Sequence, residues 1–337
     1  MNSMFEGKTI LITGGTGSLG QALTKKLLKT DVDTIRIFSR NESKQVEMES
    51  EFQDKRLRFF IGDIRDKERL ITAFEDVNIV FHAAALKHVP VIEYNPFEAI
   101  KTNVVGSQNI IDAALIQNVE KVICIGTDKA VSPLNTYGAT KLLMEKLFIS
   151  ANNYINREKH MTKFIAVRYG NVLGSSGSVI PKFIELIKKN KAVTITDTKM
   201  TRFTITMDEA LEFILNATQI GQGSEIFIPK LKSYEMSTLV KALSELLGEV
   251  KQEVTGIRPG EKLHEILINN DEIRYTWNIS NMYMLSNPHY ELFNTDNISE
   301  IYKNIDKVEN LNVYSSDVAE KITVEELKEK IKNSNLL

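Results

Sequence analysis

The chain lacks the features that define several classes of protein. Its 337 residues include a single cysteine, Cys124, so no internal disulfide can form, and no cysteine and histidine cluster has zinc spacing. No apolar run is long enough to span a bilayer. A formal charge of -2 at pH 7 offers no basic face to neutralise nucleic-acid phosphates. We therefore expect no metal site, no membrane insertion and no nucleic-acid partner.

The composition that remains is that of an ordinary globular protein. Hydrophobic residues make up 42% of the chain and charged residues 26%. A strand-like run at residues 8–12 begins too early to leave room for a signal peptide. We therefore expect a cytoplasmic protein with one large or two modest domains.

The first half of the chain alternates short apolar runs with longer amphipathic stretches. Strands are predicted at residues 9–13, 34–38, 58–61, 79–82, 122–125 and 164–168, and helices at 19–28, 97–116 and 137–151. This alternation is typical of a doubly wound parallel α/β sheet.

The alternation becomes less regular beyond residue 171, where we place a soft domain boundary. The chain is expected to return to the first domain around residues 200–228. Helices are predicted at 179–189, 208–220, 237–247 and 323–332, and brief strands at 192–195, 225–228 and 253–255. Residues 269–297 carry few clear signals.

A glycine-rich turn, T-G-G-T-G-S-L-G, follows the first predicted strand and opens a helix. Its glycines would let the backbone approach a pyrophosphate, which the free N–H groups of the helix N-terminus would bind. A tight turn without a ligand is the alternative, and the strand–turn–helix context favours a dinucleotide. The predicted cofactor contacts are Gly14, Thr16, Gly17, Ser18, Leu19 and Gly20, joined by Ala83, Ala84 and Ala85 after the fourth strand.

The end of the second strand indicates which dinucleotide is bound. Ser39 and Arg40, helped by Lys44, stand where NAD-preferring sites place an acidic residue, and an arginine there accommodates a 2′-phosphate. This predicts NADP, although Glu42 lies close by. Asp63, followed by Ile64, is placed to reach the adenine amino group; the alternative is that it caps a helix starting near residue 66.

The segment after the fifth strand carries the candidate chemistry. Thr127, Asp128 and Lys129 should face the nicotinamide, because ligands bind beyond the carboxyl ends of parallel strands. Tyr137 and Lys141 share a helix face, and Lys141 can lower the pKa of the phenol and hold the nicotinamide ribose. A core tyrosine beside an exposed lysine is the alternative. An acid, an amine and an activated phenol together suit oxidation, elimination and re-reduction.

Further segments extend the pattern over most of the chain: H-A-A-A-L-K-H-V-P-V-I-E-Y-N-P, T-D-K-A, Y-G-A-T-K, R-Y-G-N-V-L-G, M-T-R-F and G-I-R-P-G-E-K-L-H-E. With the glycine-rich turn, they resemble the extended short-chain dehydrogenase/reductase superfamily. Within it, the chain is similar to the inverting UDP-N-acetylglucosamine 4,6-dehydratases of pseudaminic acid biosynthesis, in the polysaccharide biosynthesis protein family. The resemblance implies a Rossmann domain at 1–171 that binds NADP and a smaller α/β domain, mainly 172–337, that binds the nucleotide sugar.

The resemblance also implies roles for individual residues. Tyr137 would take the proton of the 4-hydroxyl, Lys129 would remove the C5 proton, and Asp128 would protonate the departing 6-hydroxyl. Thr127 would hydrogen-bond the substrate near the 4-oxygen, and NADP would stay tightly bound and be regenerated. The implied substrate-binding residues are Lys87, Tyr169, Asn171, Val179, Pro181, Arg202, Arg258 and Glu261.

Alternative functions remain open at this point. A nucleotide-sugar 4-epimerase needs Tyr137 and Lys141 but not the acid and the amine, and retaining 4,6-dehydratases share only part of the pattern. A non-catalytic NADP-binding regulatory protein is the alternative from another class. Differences from the family at Gly126, Ser176 and Thr204 leave UDP and GDP sugars both open, and the resemblance suggests a homodimer or hexamer.

Overall fold

A large central sheet organises the fold. The computed structural model describes residues 2–156, 158–175, 177–288, 298–334 and 336–337. Its strands are β1 (Thr9–Thr13), β2 (Thr34–Ser39), β3 (Leu57–Ile61), β4 (Ile79–His82), β5 (Lys121–Ile125), β6 (Lys163–Val167), β7 (Asn171–Val172), β8 (Val193–Ile195), β9 (Thr201–Ile205), β10 (Ile226–Pro229), β11 (Ser233–Glu235), β12 (Gln252–Val254), β13 (Ile266–Ile268), β14 (Thr276–Ile279), β15 (Met282–Leu285), β16 (Ile305–Lys307) and β17 (Tyr314–Ser315).

The strand order in this sheet is β16-β14-β15-β10-β6-β5-β4-β1-β2-β3. Strands β1 to β6 and β10 pair in parallel, whereas β14, β15 and β16 extend the sheet in antiparallel pairs. The order reverses between β1 and β4, which creates a crevice at the carboxyl ends of the strands. The predicted doubly wound parallel α/β sheet of Rossmann type is confirmed.

The helices cover both faces of the sheet. They are α1 (Asn2–Phe5), α2 (Ser18–Leu27), α3 (Glu42–Phe52), α4 (Lys67–Ala73), α5 (Val89–Tyr94), α6 (Pro96–Ala99), α7 (Gly106–Ile116), α8 (Thr136–Tyr154), α9 (Val179–Lys188), α10 (Met207–Ile220), α11 (Met236–Leu247), α12 (Asn270–Ile273), α13 (Ile298–Ile301) and α14 (Val324–Asn333). Side chains of β1 alternate between two cores, Ile10 and Ile12 packing with α2 and α10, and Leu11 with α4, α7 and α8. This explains why the strands are apolar on both faces.

Two features differ from the predicted elements. The single helix predicted at 97–116 is divided, because a π-helical turn, Ile100–Val105, separates α6 from α7. The stretch that carried few signals supplies β14 and β15, which extend the large sheet by antiparallel pairing with β10 and with each other. Residues 289–297 of that stretch and Ser176 lie outside the described residues.

The second half of the chain builds a further core beside the sheet. Helices α9, α11 and α14 enclose it, with short sheets β7–β9–β11 and β8–β12 at its border. Strand β10 and the β14–β16 strands, which also come after residue 171, belong to the large sheet. The division of the chain at residue 171 stays a prediction.

Candidate active site

The glycine-rich turn lies at the carboxyl end of β1, against the segment that follows β4. Gly14 has a φ of +66°, and a Cβ atom there would lie 2.9 Å from the Cα atom of Ala84. Only glycine allows this approach without strain. Helix α2 begins at Ser18 without a side-chain cap, so its first N–H groups remain available to an anion.

A cavity of about 740 Å³ opens from this turn and continues to the carboxyl ends of β5 and β6. All the predicted cofactor contacts line it: Gly14, Thr16, Gly17, Ser18, Leu19, Gly20, Ser39, Arg40, Lys44, Asp63, Ile64, Ala83, Ala84, Ala85, Tyr137 and Lys141. A backbone cradle that a Cβ would fill and a long adjoining cavity fit a dinucleotide.

Charged side chains surround the end of β2. Arg40 is more than half exposed and lies 3.7 Å from Asp63, whose second partner, Arg65, is 2.6 Å away. Burial would raise the pKa of Asp63, but hydrogen bonds from Arg65 hold it below its ordinary value. Asp66, not Asp63, caps helix α4, so the alternative reading of Asp63 as that cap is wrong.

The π-helical turn fixes the segment after β4. It carries Asn103, which is fully buried and exchanges two hydrogen bonds with the backbone of Leu86, at 2.8 and 3.0 Å. The same amide donates to Thr140 of helix α8 at 3.0 Å. Asn103 therefore ties the cofactor side of the cavity to the helix of Tyr137, as π-turns often do at functional sites.

The turn after β5 brings an acid and an amine together. Lys129 Nζ donates to Asp128 Oδ1 at 2.9 Å and to Asn171 Oδ1 at 3.1 Å, while Thr127 Oγ1 donates to Asp128 Oδ1 at 2.9 Å. Asp128 is fully buried, and its N–H donates to the carbonyl oxygen of Tyr169. Burial raises the pKa of Asp128, although the Lys129 ammonium opposes this. Burial is the largest influence on Lys129 and disfavours its ammonium, but the charges of Asp128 and Glu265 and the hydrogen bond to Asp128 together raise the pKa of Lys129.

Helix α8 presents Tyr137 to the same turn. Burial raises the pKa of the Tyr137 phenol, and the Lys129 ammonium and the neighbouring Thr127 lower it in part. Lys141 donates to the carbonyl oxygen of Ile125 at 2.7 Å, and burial lowers its pKa to about 8. The sequence predicted that Lys141 lowers the pKa of the tyrosine; in this structure burial raises the pKa of Tyr137, and the cation that opposes this rise is Lys129.

Comparison with known proteins identifies the family. The family described as polysaccharide biosynthesis protein matches residues 10–287. A UDP-N-acetylglucosamine 4,6-dehydratase (inverting) of Campylobacter jejuni subsp. jejuni serotype O:23/36 (strain 81-176) is 48% identical over 319 residues, which cover 93% of this chain and 94% of that protein. The chain belongs to the polysaccharide biosynthesis protein family.

Two other similar proteins show how the similarity is distributed. A UDP-glucose 4-epimerase of Rickettsia bellii (strain OSU 85-389) is 41% identical, with 98% of this chain and 97% of that protein covered. The X-ray structure of Pen from Bacillus thuringiensis matches with a TM-score of 0.90 and 39% identity, covering 99% of each chain. The predicted resemblance to the inverting dehydratases is confirmed, because the dehydratase is more similar than the epimerase.

In this member of the polysaccharide biosynthesis protein family, the predicted substrate residues fall into two groups. Lys87, Tyr169 and Asn171 line the cavity together with Thr127 and Lys129. Those that do not line it are Val179, Pro181, Arg202, Arg258 and Glu261, all from the second half of the chain.

The residues outside the cavity lining occupy different environments. Val179 begins helix α9, with Pro181 in its first turn. Arg202 bonds the carbonyl oxygens of Thr201 and Leu263, and Arg258 is more than half exposed, 3.9 Å from Glu261.

The loop that carries Arg258 and Glu261 nevertheless contacts the candidate catalytic turn. Lys262 donates to the carbonyl oxygen of Val131, and Asn135, the cap of helix α8, donates to the carbonyl oxygen of Gly260 at 2.9 Å. Residues of this loop therefore lie beside the turn without lining the cavity.

Sequence reasoning missed Asn103 and Arg168. Arg168 is fully buried after β6 and binds Glu145 of α8 and Glu272 of α12, so it holds three elements together beneath the site. The one sequence feature that could have indicated Arg168 is its position in the R-Y-G-N-V-L-G segment. No sequence feature indicated Asn103, because its partners lie far away in the sequence. Among the described residues, no helix combines the length and apolarity needed to cross a bilayer.

Proposed function

We propose that this protein is a UDP-N-acetylglucosamine 4,6-dehydratase that inverts C5 and uses NADP. The substrate would lose one water and become a UDP-2-acetamido-2,6-dideoxy-hexos-4-ulose. The observation that carries the proposal is the hydrogen-bonded group of Thr127, Asp128 and Lys129, with Tyr137 lining the same cavity as Thr127 and Lys129. The 48% identity to a dehydratase of that name supports the substrate.

Each side chain has a proton-transfer role in this proposal. Tyr137 would accept the proton of the 4-hydroxyl as C4 is oxidised. The resulting ketone acidifies the C5–H bond, so Lys129 in its neutral form would remove that proton, and Asp128 would protonate the 6-hydroxyl as it leaves as water. When bound, NADP would take the hydride from C4 and return it to C6. A proton delivered to C5 from the opposite face completes the inversion.

The choice of NADP rests on the end of β2. Ser39, Arg40 and Lys44 line the cavity, and Arg40 can form charge-assisted hydrogen bonds with a 2′-phosphate. Asp63 is paired with Arg65, which leaves Arg40 with only a distant carboxylate partner at 3.7 Å. A dinucleotide without the 2′-phosphate would leave this basic group without a matching anion.

The similarity to proteins named UDP-glucose 4-epimerase makes 4-epimerisation the second candidate. Epimerisation at C4 needs only a base for the 4-hydroxyl. It gives no use to Asp128, which is buried with one oxygen that has no partner among the described residues, or to the Lys129 ammonium bound to it. These two residues favour dehydration.

The remaining expectations follow from the same function. The product would serve as an early intermediate for a modified sugar of the pseudaminic acid type. A cytoplasmic location and a homodimer or hexamer are part of the proposal and rest on the family resemblance.

The test is incubation of the purified protein with UDP-N-acetylglucosamine in D₂O without added cofactor, followed by mass spectrometry and proton NMR. We expect the loss of one water, a new C6 methyl signal, deuterium at C5 and ring couplings of the inverted epimer. An unchanged mass with a changed C4 configuration would instead identify an epimerase. No change with any UDP or GDP sugar would contradict an enzymatic function on these substrates.

Variants separate the chemistry from folding. Asp128→Asn keeps the size of the side chain but cannot donate the acid proton, so turnover should fall by about 10²–10⁴-fold. Asp112→Asn is the matched control, because Asp112 pairs with Lys67 on the surface and does not line the cavity. Equal loss in both variants would count against the role of Asp128.

A further inference from the structure

Lys129 is held by two carboxylates rather than one. Its Nζ atom lies 2.9 Å from Asp128 Oδ1 and 3.6 Å from Glu265 Oε1. The same oxygen of Glu265 is 3.7 Å from Nε of Arg202. Glu265 directly precedes β13, more than a hundred residues beyond the turn after β5, and the family resemblance gives it no role.

The backbone on either side of Glu265 is fixed by hydrogen bonds. Its N–H donates to the hydroxyl of Ser316 at 2.9 Å, and its carbonyl oxygen accepts from the N–H of Ser316 at 2.8 Å. The Ser316 hydroxyl is 2.7 Å from Thr201 Oγ1, which in turn bonds Nδ1 of His264. The Glu265 side chain therefore extends from a well-supported backbone towards Lys129, as preorganised functional groups do.

The burial of this second carboxylate calls for a functional explanation. Glu265 is 4% exposed and Asp128 is 0% exposed. Among the atoms that the structure describes, Glu265 Oε2 and Asp128 Oδ2 each lack a hydrogen-bond partner. Two buried carboxylates repel one another and lose their hydration, and such arrangements are concentrated at functional sites.

We infer that Glu265 is a positioning residue for the Asp128–Lys129 pair. The negative charge of Glu265 keeps one transferable proton on that pair at the working pH. The inference deepens the proposed dehydration and rests on it. Asp128 must donate a proton and Lys129 must accept one, so the pair works only while it holds a single proton.

Electrostatics gives the direction of the effect. Burial is the largest influence on both groups; the charge of Glu265 acts with burial to raise the pKa of Asp128 and against burial to raise the pKa of Lys129. The pH interval in which the pair holds one proton is therefore displaced upward. Other charged or titratable groups around the pair are Tyr137, Arg202, Tyr234, Lys262 and His264. Arg202 and Lys262 are cations, so loss of Glu265 leaves excess positive charge beside the pair. The pH interval in which the pair holds one proton should then shift to lower pH than in the parent protein.

The pH dependence of kcat tests the inference. We would measure conversion of UDP-N-acetylglucosamine by the parent protein and by Glu265→Gln, Glu265→Asp and Glu272→Gln, each with its bound cofactor. In Glu265→Gln, both limbs of the profile should move to lower pH by roughly one unit. Glu265→Asp keeps the carboxylate, so both limbs of its profile should lie between those of the parent protein and those of Glu265→Gln. Glu272→Gln removes a partly buried carboxylate paired with Arg168, so it should lower thermal stability and leave both limbs in place.

A second measurement does not depend on turnover. The Lys129 side chain would be titrated by ¹³C NMR in the cofactor-bound parent and in Glu265→Gln, with assignment from Lys129→Met. The midpoint should fall in the variant. An unchanged Lys129 titration midpoint in Glu265→Gln would overturn the inference. So would a kcat that is lower at every pH while both limbs of the pH profile stay where they are in the parent. An inactive parent with a shifted midpoint would reject the proposed reaction while supporting the coupling of Glu265 to Lys129.

Discussion

Arg168 binds Glu145 through two hydrogen bonds, Nε to Oε2 at 3.0 Å and Nη2 to Oε1 at 2.5 Å, with both side chains fully buried. Arg168 follows β6, the neighbour of the strand that carries the candidate catalytic turn, and Glu145 lies two turns beyond Tyr137 on α8. The ion pair therefore sets the distance between the helix of the phenol and the sheet below the site. Glu272 shares the same guanidinium at 2.9 Å.

Removing one partner of this pair should destabilise the protein strongly. Glu145→Ala leaves the Arg168 charge buried with one carboxylate fewer, so the free energy of unfolding should fall by about 3–5 kcal/mol. Urea denaturation followed by circular dichroism measures the change. Glu185→Ala is the matched control, because it breaks a helix pair with Lys189 in which both side chains are exposed. Similar losses in the two variants would show that burial of the Arg168 pair does not matter.

Arg40 should determine the choice between the two dinucleotides. Arg40→Ala removes a charge-assisted hydrogen bond to the 2′-phosphate, so affinity for NADP should fall about 10–100-fold while affinity for NAD stays unchanged. Isothermal titration calorimetry on protein stripped of cofactor measures both affinities. Arg58→Ala, on the exposed side of β3, removes the same charge away from the cavity. A parallel loss for NAD and NADP in Arg40→Ala would refute the assignment.

Local sequence patterns were sufficient to predict the parallel sheet and the residues that line the Gly14 end of the cavity. The glycine-rich turn, Ser39 and Arg40 are adjacent to strand ends, and the rule that ligands bind at those ends places them without further information. Asn103, Arg168 and Glu265 could not be found in this way. Each acts through partners from a distant part of the chain, Leu86, Glu272 and Lys129 respectively, and a single sequence does not show which distant residues meet.

The same reasoning explains the difference at Lys141. Its spacing from Tyr137 predicts that the two share a helix face, but the direction of the ammonium depends on the end of β5, where Ile125 offers a carbonyl oxygen. The positive charge that acts on Tyr137 comes from Lys129 because the turn after β5 folds back over the first residues of α8. Helical periodicity contains no information about that turn.

Burial of Lys141 should make stability depend on pH. Its folded pKa is about 8, below that of an unfolded lysine near 10.4, so between these values the unfolded state binds more protons and stability rises with pH. Lys141→Met removes this effect. Relative to the parent, the free energy of unfolding of the variant should therefore be highest below about pH 8. This difference should diminish as pH rises from about 8 towards about 10.4. Urea denaturation of cofactor-free protein across this range measures the difference; Lys146→Met, on the exposed side of the same helix, is the control for loss of a lysine. A difference that does not vary with pH would contradict the lowered pKa.

Gly138 allows helix α8 to approach the candidate catalytic turn. A Cβ atom at this position would overlap the carbonyl oxygen of Lys129 and lie 2.9 Å from Pro133 Cβ. Alanine has a higher helix propensity than glycine and would otherwise stabilise α8 by about 1 kcal/mol. In Gly138→Ala the turn must instead move away from Tyr137, and a displacement of about 1 Å between reacting groups can lower a rate about 100-fold.

We therefore expect Gly138→Ala to lose most of its turnover of UDP-N-acetylglucosamine while retaining bound cofactor, because the glycine-rich turn is remote from the change. Steady-state kinetics and the absorbance of the bound nicotinamide measure the two properties separately. Ser150→Ala, an exposed position on the same helix, should alter neither. Full activity in Gly138→Ala would mean that the close contact between α8 and Lys129 is not needed to hold the acid, the amine and the phenol in register.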